Sequence, residues 1–222
     1  MEIVSSSELT ISYDGELLRA GLMDVQELAP ALLASGTLLQ KANRLVNGDT
    51  TRVSLKVRSD FRRGSFLINF VVDQTLLDQA KTFLLQHPDL TGATQILQML
   101  FFWVGIPVGA GTSLFKLIKK LGRRKPDSVI FEDSNVTIIT GDVKMIVSDT
   151  VYKLYLDPDA RRAANAIVAP LNKEGIDVLE IKRGSDTEIV TKDEAASFEY
   201  SAVEDDLLLD NSREAWLAIV SL

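Results

Sequence analysis

The sequence predicts an α+β protein: a mixed or antiparallel sheet with a long amphipathic helix and an apolar helical hairpin inserted between strands. Three observations carry that reading. Apolar residues alternate in several short runs, they recur at helical spacing between Val25 and Val46, and no charge interrupts the chain from Leu90 to Phe115. The first element is "ELTISYDG", where Leu9, Ile11 and Tyr13 alternate with polar neighbours and an Asp-Gly turn closes a half-buried strand. Asp24 stands where a helix cap belongs, and Val25, Leu28, Ala29, Leu32, Leu39, Ala42 and Val46 follow on one helical face. Val53-Leu55-Val57 and Phe66-Ile68-Phe70-Val72 read as a hairpin around a basic loop. "TLLDQAKTFLLQ" reads as a short helix that stops before Pro88, because the residue ahead of a proline avoids helical angles.

The uncharged stretch reads as two helices, Thr91 to Val104 and Thr112 to Leu121. They meet at "GIPVGAG", where Pro107 lacks a donor and three glycines accept unusual angles. "SVIFEDSNVTIIT" and "VKMIVSD" then restart the sheet about a turn at Asp133-Ser134-Asn135. Pro158 suits the first position of a helix with Ala163, Ile167, Val168 and Leu171 on one face, and a strand with Ile176, Val178 and Ile181 follows. The α+β domain so read covers residues 1–200, with the apolar hairpin at about 90–122. Residues 201–213 read as an acidic linker, and 214–222, containing "AWLAIVSL", as the first strand of a truncated C-terminal β domain.

Composition narrows the function classes. A net charge of −7 argues against nucleic-acid binding over the whole surface, so any such site is local. Zero cysteines exclude disulfides, thiolate metal sites and cysteine nucleophiles. The N-terminus has neither the basic nor the apolar region of a cleaved signal, so the expected residence is cytoplasmic, with the inner face of the inner membrane, or the membrane itself, as the alternative.

Catalytic and cofactor motifs fail one by one. Gly105 to Ser113 lacks the lysine of a phosphate loop, and Leu114 stands where a dinucleotide fingerprint needs its third glycine. His87 is the only histidine and sits in a helix-ending sequence, which leaves no histidine pair for zinc. Asp157 and Asp159 suit the first turn of a helix, "EDDLLLD" lacks the glycine of a calcium loop, and Ser5-Ser6-Ser7 has no base nearby. The reading is therefore a non-enzyme without a cofactor.

"SYDGELLRAGLMDVQELAPALLASGTLLQKANRLVNGD", "VRSDFRRGSFLINF", the Gly-rich run ending "LIKKLGRRKP" and "RRAANAIVAPLNKEGIDVLEIK" together resemble an uncharacterised family of bacterial proteins, often encoded in prophages and other mobile elements. The resemblance covers nearly the whole chain. It implies an N-terminal α+β domain followed by a small β domain, and it brings no assigned catalytic residue.

Two sets of residues are candidates for contact with something else. The apolar set is Leu100, Phe101, Phe102, Trp103, Val104, Ile106, Val108, Leu114 and Phe115, which must be covered by the chain's own fold, by other subunits or by lipid. The basic set is Arg58, Arg62 and Arg63 in the hairpin loop, and Lys116, Lys119, Lys120, Arg123, Arg124 and Lys125 after the apolar run. Such clusters suit anionic lipid head groups or nucleic-acid phosphates, or else merely complement the C-terminal end of a helix. Two functions follow. One is a self-assembling, membrane-engaging effector of a prophage or phage-defence locus, with the α+β part sensing a signal. The other is a soluble adaptor or scaffold that binds a protein or nucleic-acid partner through its basic loops. The partners implied are further copies of the chain as a homo-oligomer, a membrane, a nucleic-acid or nucleotide signal, and a protein from the same locus.

Overall fold

The computed structural model describes residues 3–58, 66–77, 91–102 and 112–200. Within them the fold is α+β, with two antiparallel sheets and six α-helices. The five-stranded sheet joins β1 (Ile3–Asp14), β2 (Thr51–Arg58), β3 (Phe66–Leu76), β7 (Val178–Arg183) and β8 (Asp186–Thr191) in the order β2-β3-β1-β7-β8. The first strand in sequence is thus the central one, with Ile11 opposite both Ile68 and Ile181. Strands β4 (Ser128–Glu132), β5 (Asn135–Thr140) and β6 (Val143–Ser148) do not extend that sheet, as the sequence suggested, but form a meander of their own.

Alternation decides which face of the large sheet is buried. Leu9, Ile11 and Tyr13 of β1, Ile68, Phe70 and Val72 of β3, and Leu179 and Ile181 of β7 are at most 2% exposed and point towards the helices. The opposite face carries Ser6, Glu8, Thr10, Lys56, Arg58, Asn69 and Lys182. Helix α1 (Val25–Asn47) begins where Asp24 accepts a hydrogen bond from the Gln26 N–H, the predicted cap. Its buried stripe is Ala31, Ala34, Ser35, Leu38, Leu39, Ala42 and Asn43, rotated from the predicted face: Val25 is exposed and Leu28 and Leu32 only half-buried. Small residues dominate that stripe because α1 packs closely along α5 (Pro158–Val168), with Pro158 in the first turn as expected. The Lys41 ammonium ties the two helices, 2.6 Å from Asp159 and 3.5 Å from Asp157.

Two buried polar contacts fix the register of these layers. The Tyr13 hydroxyl donates to the Ile167 carbonyl at 2.8 Å, and burial pushes its ionisation far above the ordinary tyrosine value. At the other end of α1, Asn43 Oδ1 accepts from Asn47, Thr51 and Gln74, while Asn47 exchanges two hydrogen bonds with the Thr91 backbone. Each of these side chains would be costly to bury alone, so the network holds the helix end, the β2–β3 hairpin and the entry to the next helix in one arrangement.

Across the solvent face, Asp73 receives hydrogen bonds from Lys56 and from Ser6, each at 2.7 Å. Lys56 first and Ser6 second hold its carboxyl below the ordinary carboxylate range. A depressed carboxylate contributes stability that is complete above the unfolded value, about pH 4, and is lost as pH falls through the lower folded value. Asp73→Asn should therefore be less stable than the parent at neutral pH, with a shallower decline below about pH 4. Urea midpoints across that range are the measurement; parallel declines in the two proteins would remove Asp73 from the acid-sensitive set.

Candidate anion-binding site

The apolar set comes first, because its position decides what the neighbouring cations are attached to. Leu100 and Phe101 lie in α2 (Ala93–Phe101), Phe102 ends it, and Leu114 and Phe115 open α3 (Leu114–Leu121). All five are within the chain's own core, between 0 and 3% exposed. The Phe115 ring meets Phe101 at 4.8 Å and Phe198 at 5.0 Å, centroid to centroid, in edge and tilted geometry. Of the three covers the sequence left open, these residues have the first. Trp103, Val104, Ile106 and Val108 lie outside the described residues, as do Arg62, Arg63, His87, the helix read over "TLLDQAKTFLLQ" and segment 201–222. No helix among the described residues is long and apolar enough to cross a membrane.

Helix α3 is amphipathic with its apolar face wholly engaged. Leu114, Phe115, Leu117, Ile118 and Leu121 are at most 1% exposed, which turns Lys116, Lys119 and Lys120 away from the core. Ser113 caps the start by accepting from the Lys116 N–H, and Gly122, at φ 54°, lets the chain leave the last turn in the left-handed region. Arg123, Arg124 and Lys125 follow, all exposed.

The structure sorts the basic set into engaged and free cations. Lys119 is engaged: its ammonium lies 2.7 Å from Glu188, 3.7 Å from Glu194 and 2.7 Å from the Ile189 carbonyl. Glu188 is 2% exposed on the inner face of β8, so this is an internal clamp between α3 and the sheet, not a contact for a partner. Arg123 pairs with Glu199 at 3.3 Å, and Arg58 with Glu8 at 2.6 Å on the far side of the molecule. Lys116, Lys120, Arg124 and Lys125 have no carboxylate within 4.0 Å among the described residues. Lys120 and Arg124, together with Gly122 and Ser197, line a shallow concavity of about 270 Å³.

Beneath it lies a cation that the sequence did not single out. Arg161 on α5 is 4% exposed, its Nη2 is 3.5 Å from the Gly122 carbonyl, and its guanidinium lies 4.5 Å over the Tyr155 ring. Its Nε has no hydrogen-bond partner among the described residues. Among the described residues, carbonyl and ring faces thus stand in for the carboxylate that a buried guanidinium usually has, and its charge adds to the field of Lys120 and Arg124 at the concavity. Nothing in "DPDARR" distinguishes Arg161 from Arg162, which is exposed and paired with Asp159; only the packing of α5 on the α3 terminus does.

The other motifs have structural partners. Asp157 caps α5, accepting from the Ala160 N–H, and Ser5 accepts from the Ala93 N–H at the start of α2. No group of three or more potential metal-ligating side chains gathers among the described residues. No protein-family model, curated protein or solved structure matches this chain.

Proposed function

We propose that this chain is a binding module, an adaptor without catalysis of its own, that holds a nucleic-acid phosphate backbone on the basic apron at the end of α3. The carrying observation is the sorting of charges: at the C-terminal end of one helix, Lys120, Arg124 and Lys125 have no carboxylate within 4.0 Å among the described residues, in a chain of net charge −7. Backbone phosphates repeat at a spacing that several side chains can meet at once, and they require no apolar insertion. Anionic lipid would supply similar charges, but amphipathic helices that bind bilayers do so by burying their apolar face in lipid, and that face of α3 is already in the core. The self-assembling, membrane-engaging effector of a mobile-element locus is the second reading, and it draws on Trp103, Val104, Ile106 and Val108.

A labelled single-stranded oligonucleotide and, separately, phosphatidylserine vesicles are titrated with the intact protein at a series of salt concentrations. Oligonucleotide affinity should fall linearly with salt on logarithmic axes, with a slope of about −0.7 per phosphate contacted. Lys120→Glu combined with Arg124→Glu should weaken binding at least tenfold and reduce the slope by roughly two contacts. An oligonucleotide that fails to bind at low salt, or a slope that the double variant leaves unchanged, would sink this reading. Binding to vesicles alone would put the membrane-engaging reading in its place.

A further inference from the structure

Among the described residues, β2 is the outer edge of the large sheet, with α1 running beside it. Leu77 N–H donates to the Thr50 carbonyl, so residues 50 and 77 form a hydrogen-bonded pair, and the alternation of an antiparallel ladder makes 52, 54, 56 and 58 the residues that bond β3. The odd residues therefore point their backbone groups away from the sheet. The Thr51 carbonyl is taken by Asn43 Nδ2 at 3.0 Å and Val53 is 2% exposed, which leaves Leu55 and Val57 presenting N–H and C=O groups along the edge. Val53, Leu55 and Val57 line one wall of a groove of about 810 Å³, and Leu33, Gly36 and Thr37 of α1 line the other. Leu33 is 74% and Val57 52% exposed, and a methyl group built on Gly36 would meet nothing within 4 Å. A helix interior that carries glycine and an exposed leucine gives up stability of its own, and here both face the groove.

Charge selects the occupant. The even residues of β2 project Arg52, Lys56 and Arg58 on the solvent face beside the edge. Lys56 and Arg58 bridge inward to Asp73 and Glu8, whereas Arg52 has no ion pair among the described residues. A second copy adding its own β2 antiparallel about Leu55 would set Arg52 opposite Arg58 and double the row of cations, which disfavours self-pairing. We propose that the α1–β2 groove is a strand-addition site for an extended peptide of a partner protein, with apolar side chains alternating with acids. Its backbone bonds Leu55 and Val57, its apolar residues face Leu33 and Gly36, and its acids lie along Arg52.

The test uses the intact protein and two fluorescent octapeptides, one alternating Glu with Val and one alternating Lys with Val, read by anisotropy. The Glu–Val peptide should bind saturably and the Lys–Val peptide should not. Leu55→Pro removes one outward N–H without touching the β3 ladder, and Leu33→Asp places an acid on a side chain exposed in the parent. Each should weaken binding at least tenfold, and Arg52→Glu severalfold, with circular dichroism unchanged for Leu33→Asp. Absence of binding, equal binding of the two peptides, or an unaltered affinity in Leu33→Asp overturns the proposal. So does a parent dimer that Leu33→Asp dissociates, which would make a second copy the occupant. Tighter binding of a peptide with the sequence of residues 203–210 would overturn it in favour of the chain's own acidic segment.

Discussion

Lys119→Met should destabilise the fold by about 3–5 kcal/mol, the range for removing one partner of a buried ion pair. The loss does not come from the attraction alone. Glu188 is 2% exposed on the inner face of β8 and has no second cation within 4.0 Å among the described residues, so the variant leaves a carboxylate in a site made for a pair. Lys119→Met combined with Glu188→Leu should recover most of the stability, because two apolar side chains of similar size need no counter-charge. Urea denaturation of the parent, the single and the double variant measures both effects. A single variant within 1 kcal/mol of the parent would mean that Glu188 reaches solvent once Lys119 is gone.

Phe115→Ala should cost about 3–5 kcal/mol, the range for truncating a buried aromatic residue. Phe115 is the middle of three rings, between Phe101 from α2 and Phe198 beyond α6 (Lys192–Ala195), and all three are fully buried. The two outer rings cannot meet across the gap without moving their helices, so a cavity should remain. Phe115→Leu should be clearly milder, since it keeps most of the volume. If the alanine and leucine variants share a denaturation midpoint, the rings close up around the site and the cavity argument fails.

The strands were legible where one face is simply apolar. Leu9, Ile11 and Tyr13, or Phe66 to Val72, report their own burial, because a period of two needs no knowledge of the partner. Strand β8 gave no such signal: its inward positions include Glu188, and a charge on the buried face breaks the alternation unless Lys119, from a distant helix, is known to meet it. Helix α1 was recognised and its face read in part: of the residues assigned inward, Leu39 and Ala42 are buried, Leu28 and Leu32 half-buried and Val25 exposed, while Ser35 and Asn43, not assigned to that face, are buried. Asn43 can be buried because Asn47, Thr51 and Gln74 satisfy it, and a residue pattern does not show that. Helix α4 (Asp149–Leu156), with Val, Tyr and Leu throughout, went unrecognised since those residues serve a strand equally well.

For the candidate site, the basic cluster of residues 116–125 was plain in the sequence, and its division was not. Which cations are free depends on Glu188, Glu194 and Glu199, more than sixty residues further along the chain. The strand-addition groove had no sequence signal at all, because it depends on which backbone groups of β2 are already paired.

The placement of β1 in the middle of its sheet bears on how the chain is made. Ile11 finds one neighbour at Ile68 and the other only at Ile181. At about 5–20 residues per second on the ribosome, the second partner appears roughly 10–30 s after the strand itself. Through that interval the hairpin β2–β3 can dock on one side of β1, while the other side presents an apolar strand with an unpaired edge, held near neighbouring nascent chains. Such a topology favours uninterrupted elongation, low local concentration or chaperone cover during production, and it makes a pause before residue 178 the point at which misassembly is most costly.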